Sequence, residues 1–251
     1  MYEIPIFDEN EFLQRCKSFQ AMMADEKIDL LILDQPETIF HLLGYAMSEG
    51  FYQFCLLTPV GQPVMILRTV DAGTCKEYSW ISDVIGFRDW DDPIEIALKQ
   101  IKTRNWNSRR VGMDKNSYSL TVQRYSSWKT ALSGSEFNDI STFIAERKAI
   151  KSPKEIEYLR KASDIADKTL QVIQERIKPG HSARDCVAIS AESIISLGGD
   201  ASVVGPVTRS IDDTKMHALV DDYPLQPGDT LHVELIPQYL GYSARLMRPV
   251  L

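Results

Sequence analysis

Along residues 9–26, Phe12, Cys16, Phe19, Met22 and Met23 recur three and four positions apart, the spacing of one face of a helix. The apolar run DLLIL at 29–33 then predicts a short buried strand. Asp34-Gln35-Pro36 breaks it, and residues 37–43 predict a short helix closed by Gly44. Two strands are expected at 53–57 and 64–67, joined by a turn rich in proline and glycine. Further strands are predicted at 84–87 and 110–113, each followed by a helical pattern, at 93–101 and 120–132. Strands alternating with helices imply an α/β layer around a mostly buried sheet.

Near residue 145 the pattern lengthens. Ser152, Pro153 and Glu155 make a helix start, with Ser at the N-cap, Pro at the first helical position and Glu placed for a capping box. Ile156, Leu159, Ala162, Ala166, Leu170, Ile173 and Ile177 continue as a single apolar stripe, ended by Lys178-Pro179-Gly180. Ser182 opens a second helix, closed by Gly198-Gly199. Strands are expected at 202–207 and 230–236, with a third from 239 to the end. The chain therefore divides into residues 1–145 and 146–251.

The composition is that of an ordinary globular protein, with 44% hydrophobic and 25% charged residues among 251. A net charge of −7 argues against nucleic acid or an anionic membrane surface as partner. Cys16, Cys55, Cys75 and Cys186 are far apart and form no CxxC pair, so reduced thiols are expected. The acidic N-terminus lacks a signal-peptide pattern, and no stretch approaches the roughly 18 apolar residues of a membrane span. The expectation is a cytoplasmic protein without membrane association.

The chain has no dinucleotide fingerprint, P-loop, zinc-protease helix or nucleophile elbow. What remains is a group of polar residues in the last part of the chain: Arg209, His217, His232, Glu234, Arg245 and Arg248. Alternation in Leu231-His232-Val233-Glu234-Leu235 puts His232 and Glu234 on one strand face. If the next turn centres between Tyr239 and Leu240, Glu234 lies opposite Arg245, and a charge-assisted pair is expected.

The segments AIKSPKEIEYLRKASDIADKTL, KPGHSARD, GPVTRS, MHALV and LQPGDTLHVELIPQYLGYSARLMRPV resemble, in their order and spacing, the prolidase, aminopeptidase P and creatinase superfamily. The stretches AMMADEKIDLLILDQPETIFHLLGY and ISDVIGFRDWDDP resemble its smaller N-terminal domain. The resemblance covers nearly the whole chain. It implies a creatinase-type α/β N-terminal domain followed by the first half of an α+β pita-bread catalytic domain.

In the metallopeptidases of that superfamily, two Asp of the hairpin hold a pair of divalent metals, and those positions fall on Glu234 and Arg245. Arginine offers no lone pair and stays charged, so the hairpin resembles creatinase-like members that cleave C–N bonds without metal. The resemblance thus implies neither a metal nor another cofactor. His217 matches the loop histidine that moves protons or contacts substrate, work suited to an imidazole. Glu234 has two readings, a nucleophile or general base on the substrate, or a structural partner of Arg245 or Arg248. Arg248 matches a structural arginine, His232 reads as a packing or supporting residue, Cys186 as core, and Asp212 and Asp213 as a solvated loop. In the family the loop corresponding to YAMSEGFYQF reaches the dimer partner's active site. Phe51, Tyr52 and Arg68 are accordingly candidate substrate contacts beside Arg245, with ordinary aromatic packing as the alternative.

Three functions remain open at this level. The first is a metal-independent hydrolase of a C–N bond in a small amino-acid-like substrate. The second is an Xaa-Pro peptidase with an altered metal site, and the third a non-catalytic pita-bread module that binds peptide or protein. A homodimer is expected. The family's catalytic domain normally continues beyond residue 251, so the chain is expected to be a fragment or to be completed by another chain.

Overall fold

The computed structural model describes residues 6–45, 50–200, 204–210 and 217–250. The chain divides into two compact units, Met1–Ile150 and Lys151–Leu251.

The first unit is built on β1 (Leu30–Leu33), β2 (Phe54–Leu57), β3 (Val64–Arg68), β4 (Val84–Phe87), β5 (Arg110–Met113) and β6 (Glu136–Asp139), in the order β4-β3-β2-β1-β5-β6. β1 runs parallel to β5 and antiparallel to β2. Helices cover both faces, which is why β1 reads as an uninterrupted apolar run and all its residues are buried. Leu31 and Leu33 enter one core with Phe19 and Met23 of α1 (Glu9–Asp25), Leu42 of α2 (Pro36–Leu43), Cys75 of α3 (Thr69–Tyr78) and Ile144 of α6 (Ser141–Ala149). Leu30 and Ile32 enter the other with Ala97 of α4 (Pro93–Thr103) and Trp128 of α5 (Val122–Ala131). Gly44 ends α2 with φ 74°, as its place after the apolar run requires. Helices α3 and α6 and the edge strand β6 are additions to the elements expected from the pattern.

The second unit opens on α7 (Pro153–Arg176), held by a complete capping box between Ser152 and Glu155, and α8 (Ala183–Ser196), held by a second one between Ser182 and Asp185. The buried face of α7 is Tyr158, Ala162, Ile165, Ala166, Thr169 and Ile173, rotated from the expected stripe, and Ile156 is exposed. Tyr158 has replaced it because its ring lies against Tyr239 and Tyr242. β7 (Val204–Ser210), β8 (Thr230–Leu235) and β11 (Leu246–Val250) form an antiparallel sheet in the order β11-β8-β7. The expected unbroken strand from 239 is interrupted. β9 (Gln238–Tyr239) and β10 (Tyr242–Ser243) form a small hairpin around Leu240-Gly241, both at positive φ, and β11 starts afterwards. Among the described residues no helix is long and apolar enough to cross a membrane.

Candidate functional site

β8 alternates as its sequence demands. Leu231, Val233 and Leu235 enter the core with Val207, Ile173 and Cys186. His232 and Glu234 point the other way and are nevertheless buried, Glu234 to 1% exposure. The adjoining strand accommodates this carboxylate. The β7–β8 ladder is irregular between Val204 and Val207, and a Cβ on Gly205 would lie 2.7 Å from Cγ of Glu234. Any side chain there would collide with the carboxylate stem.

The expected register is corrected. Because the turn centres on Leu240-Gly241, one step later than supposed, Glu234 pairs with Met247 and not with Arg245. A shift of two residues preserves which face each side chain takes, so Arg245 still reaches Glu234 diagonally. Its Nη2 lies 2.7 Å from Glu234 Oε1, with the glutamate side chain 2% and the arginine side chain 58% exposed. Arg248 is exposed and donates to the carbonyl of Met247. Three buried atoms on this side of the sheet, Glu234 Oε2, His232 Nε2 and Thr208 Oγ1, have no hydrogen-bond partner among the described residues. Nothing in the sequence singles out Thr208, because a lone strand threonine does not reveal its neighbours.

His217 is exposed, in the segment between β7 and β8. Among the described residues no hydrogen bond or ion pair joins it to Glu234 or Arg245. Asp212, Asp213 and the 46–49 part of the aromatic loop lie outside the described residues. Arg209 stacks over Tyr223, 4.0 Å from the ring centre, with Asp229 at 3.5 Å.

The other candidate residues belong to the first unit. Phe51 and Arg68 are together, the guanidinium 4.3 Å from the ring centre, and Arg68 also grips Asp89 through two hydrogen bonds of 2.8 and 2.9 Å. That bond holds the Asp89 carboxyl below its ordinary range. Tyr52 is turned inward: its hydroxyl donates to Asp34 Oδ2 at 3.1 Å and accepts from Trp128 Nε1 at 2.9 Å. Burial pushes the Asp34 carboxyl up, against hydrogen bonds from Ser117 and Tyr52 that lower it. This network joins residues far apart in the chain, and the sequence signal for it is slight: an aspartate directly after an apolar strand.

The donor set at the hairpin does not fit a pair of divalent metals. One position holds a carboxylate already engaged by a guanidinium, and the other holds that guanidinium, which cannot ligate.

Two family models match the chain: the Creatinase/Prolidase N-terminal domain over residues 15–150, and Metallopeptidase family M24 over residues 157–251. Among curated relatives, an ectoine hydrolase of Halomonas elongata is 26% identical, with 97% of this chain and 66% of that protein covered. An Xaa-Pro dipeptidase of Lactobacillus helveticus is also 26% identical, over 92% of this chain and 63% of that protein. The chain thus spans just under two thirds of the length of these relatives. Among solved structures, the X-Pro aminopeptidase of Thermotoga maritima superposes with a TM-score of 0.81 at 15% identity, covering 94% of this chain and 64% of that one. The prolidase of Pyrococcus furiosus gives 0.76 at 21% identity, covering 93% and 69%. These likenesses show the fold, a creatinase-type α/β domain followed by a region of pita-bread architecture. With both family models matched in order along its length, the chain belongs to the creatinase and prolidase superfamily.

Proposed function

We propose that this chain belongs to a dimeric hydrolase that cleaves a C–N bond of a small amino-acid-like substrate without a divalent metal at its hairpin. The observation that carries the reading is the 2.7 Å ion pair between Glu234 and Arg245, the two positions onto which the sequence resemblance maps the metallopeptidase ligands. A permanently charged guanidinium in place of a carboxylate changes the local charge by two units. At an effective dielectric of about 20, unit charges ~4 Å apart interact by ~4 kcal/mol, so this change opposes a dication strongly.

Without metal-generated hydroxide, protein groups must activate the water. In the proposed reaction His217 takes a proton from water, whose oxygen adds to the carbon of the C–N bond. The same imidazole returns the proton to the departing nitrogen, which leaves as an amine. Glu234 orients the reacting group from its buried position, and Arg245 meets the substrate's carboxylate.

The test measures hydrolysis of ectoine, creatine and Xaa-Pro dipeptides by the full-length protein before and after exhaustive chelation. Activity that survives chelation and falls at least a hundredfold in His217→Ala is expected. Activity lost on chelation and restored by manganese, cobalt or zinc would instead support an Xaa-Pro dipeptidase with an altered metal site, the second reading that the lactobacillar relative favours.

A further inference from the structure

The face of β8 opposite the core contains a row of polar atoms that the ion pair does not satisfy. His232 on β8 lies directly across from Thr208 on β7, and Glu234 follows two residues along on the same side. Thr208, His232 and Glu234 are 5%, 7% and 1% exposed. The Thr208 hydroxyl, His232 Nε2 and Glu234 Oε2 are each buried without a hydrogen-bond partner among the described residues. Buried polar groups are nearly always paired, because leaving one unpaired costs about 1–3 kcal/mol. The three lie together on adjacent strands, and Gly205 leaves room for the Glu234 side chain, whose Cγ would lie 2.7 Å from a Cβ there.

We infer that Thr208 and His232 are binding residues of this site, and that with Glu234 Oε2 they hold a carboxamide group of the ligand. The chemistry selects the group. Glu234 Oε2 only accepts, so it requires an N–H; the Thr208 hydroxyl donates to a carbonyl oxygen; and the His232 nitrogen takes whichever role its tautomer leaves open. A ligand carboxylate would be repelled by Glu234, and an apolar group would leave all three atoms unpaired. Arg245 is mostly in solvent yet bonded to the sealed glutamate, and its guanidinium is the cover that the entering ligand moves aside. This inference rests on reading the Glu234 face as the substrate site.

The test separates this role from a structural one. The full-length protein and its Thr208→Val, His232→Leu and Thr208→Ser variants are compared in chelator, by thermal unfolding and by calorimetric titration with N-acetylglycinamide. Because the two apolar variants remove an unpaired buried group, their unfolding midpoints should hold or rise while probe affinity falls at least tenfold. Thr208→Ser, which keeps the hydroxyl, should bind within threefold of the parent. A lowered midpoint in either apolar variant would mean that the group has a structural partner, and would overturn the inference. Unchanged affinity in those variants, or no binding by the parent, would overturn it as well. The assay requires neither turnover nor metal, so a metal-dependent activity would defeat the proposed function and leave this result standing.

Discussion

Replacing Arg245 by methionine should destabilise the second unit, whereas replacing Glu234 by methionine should not. The asymmetry follows from burial, 2% for the glutamate side chain and 58% for the arginine. Arg245→Met leaves a sealed carboxylate with neither oxygen paired. A charge-assisted hydrogen bond contributes about 1.5–3 kcal/mol, and breaking a fully buried ion pair costs about 3–5. Because the arginine is largely solvated, the lower range applies, and a loss of about 2 kcal/mol is expected. Glu234→Met removes the buried charge and its unpaired oxygen together and releases Arg245 to water, so the change should stay within about 0.5 kcal/mol. The double variant should resemble Glu234→Met, giving a coupling energy of about 1.5–2 kcal/mol. Urea unfolding followed by far-ultraviolet circular dichroism measures these values. Fluorescence provides an internal control, since Trp80, Trp90, Trp106 and Trp128 account for all 4 tryptophans and lie in the first unit. A neutral Arg245→Met, or a Glu234→Met as damaging as its partner, would show that the buried carboxylate does not depend on the guanidinium.

Gly205→Ala should displace the Glu234 side chain and destabilise the second unit by about 1–3 kcal/mol, the range for overpacking, read by the same unfolding assay. Ser152→Ala should cost about 1 kcal/mol through loss of the α7 N-cap, with the tryptophan-monitored transition of the first unit unmoved. Asp34 predicts a pH effect of defined sign. Its carboxyl is raised in the folded state, so between its unfolded and folded pKa the native protein binds more protons, and stability falls as pH rises through that interval. Asp34→Asn should flatten this slope in thermal unfolding measured across acidic pH; an unchanged slope would assign it to other groups.

The elements that were legible in the sequence are those whose burial is periodic. The apolar run of β1, the stripe of α1 and the caps of α7 and α8 each announce themselves locally. Helix α3 does not, because Cys75 is its single buried residue, and neither does β6, whose sequence Glu136-Phe137-Asn138-Asp139 suits an exposed edge. The hairpin turns one step later than the spacing predicts because Leu240 adopts positive φ, a conformation that a leucine does not advertise. At the site, the pairing of Glu234 with Arg245 was readable from alternation and spacing. The orphaned atoms of Thr208 and His232 were not, since they depend on which strands adjoin and on what each side chain fails to reach. The aromatic loop around Tyr52 suggests a substrate contact. The Tyr52 hydroxyl is engaged by Asp34 and Trp128, which only the folded chain brings near.

Calorimetric titration of manganese into the chelator-treated full-length protein, alongside its Glu234→Ala and Arg245→Asp variants, asks whether the hairpin excludes a catalytic metal. No stoichiometric binding to the parent or to Glu234→Ala is expected, with binding gained in Arg245→Asp, where a carboxylate replaces the guanidinium. Tight binding of one or two manganese ions by the parent, abolished by Glu234→Ala, would show instead that the hairpin holds a metal.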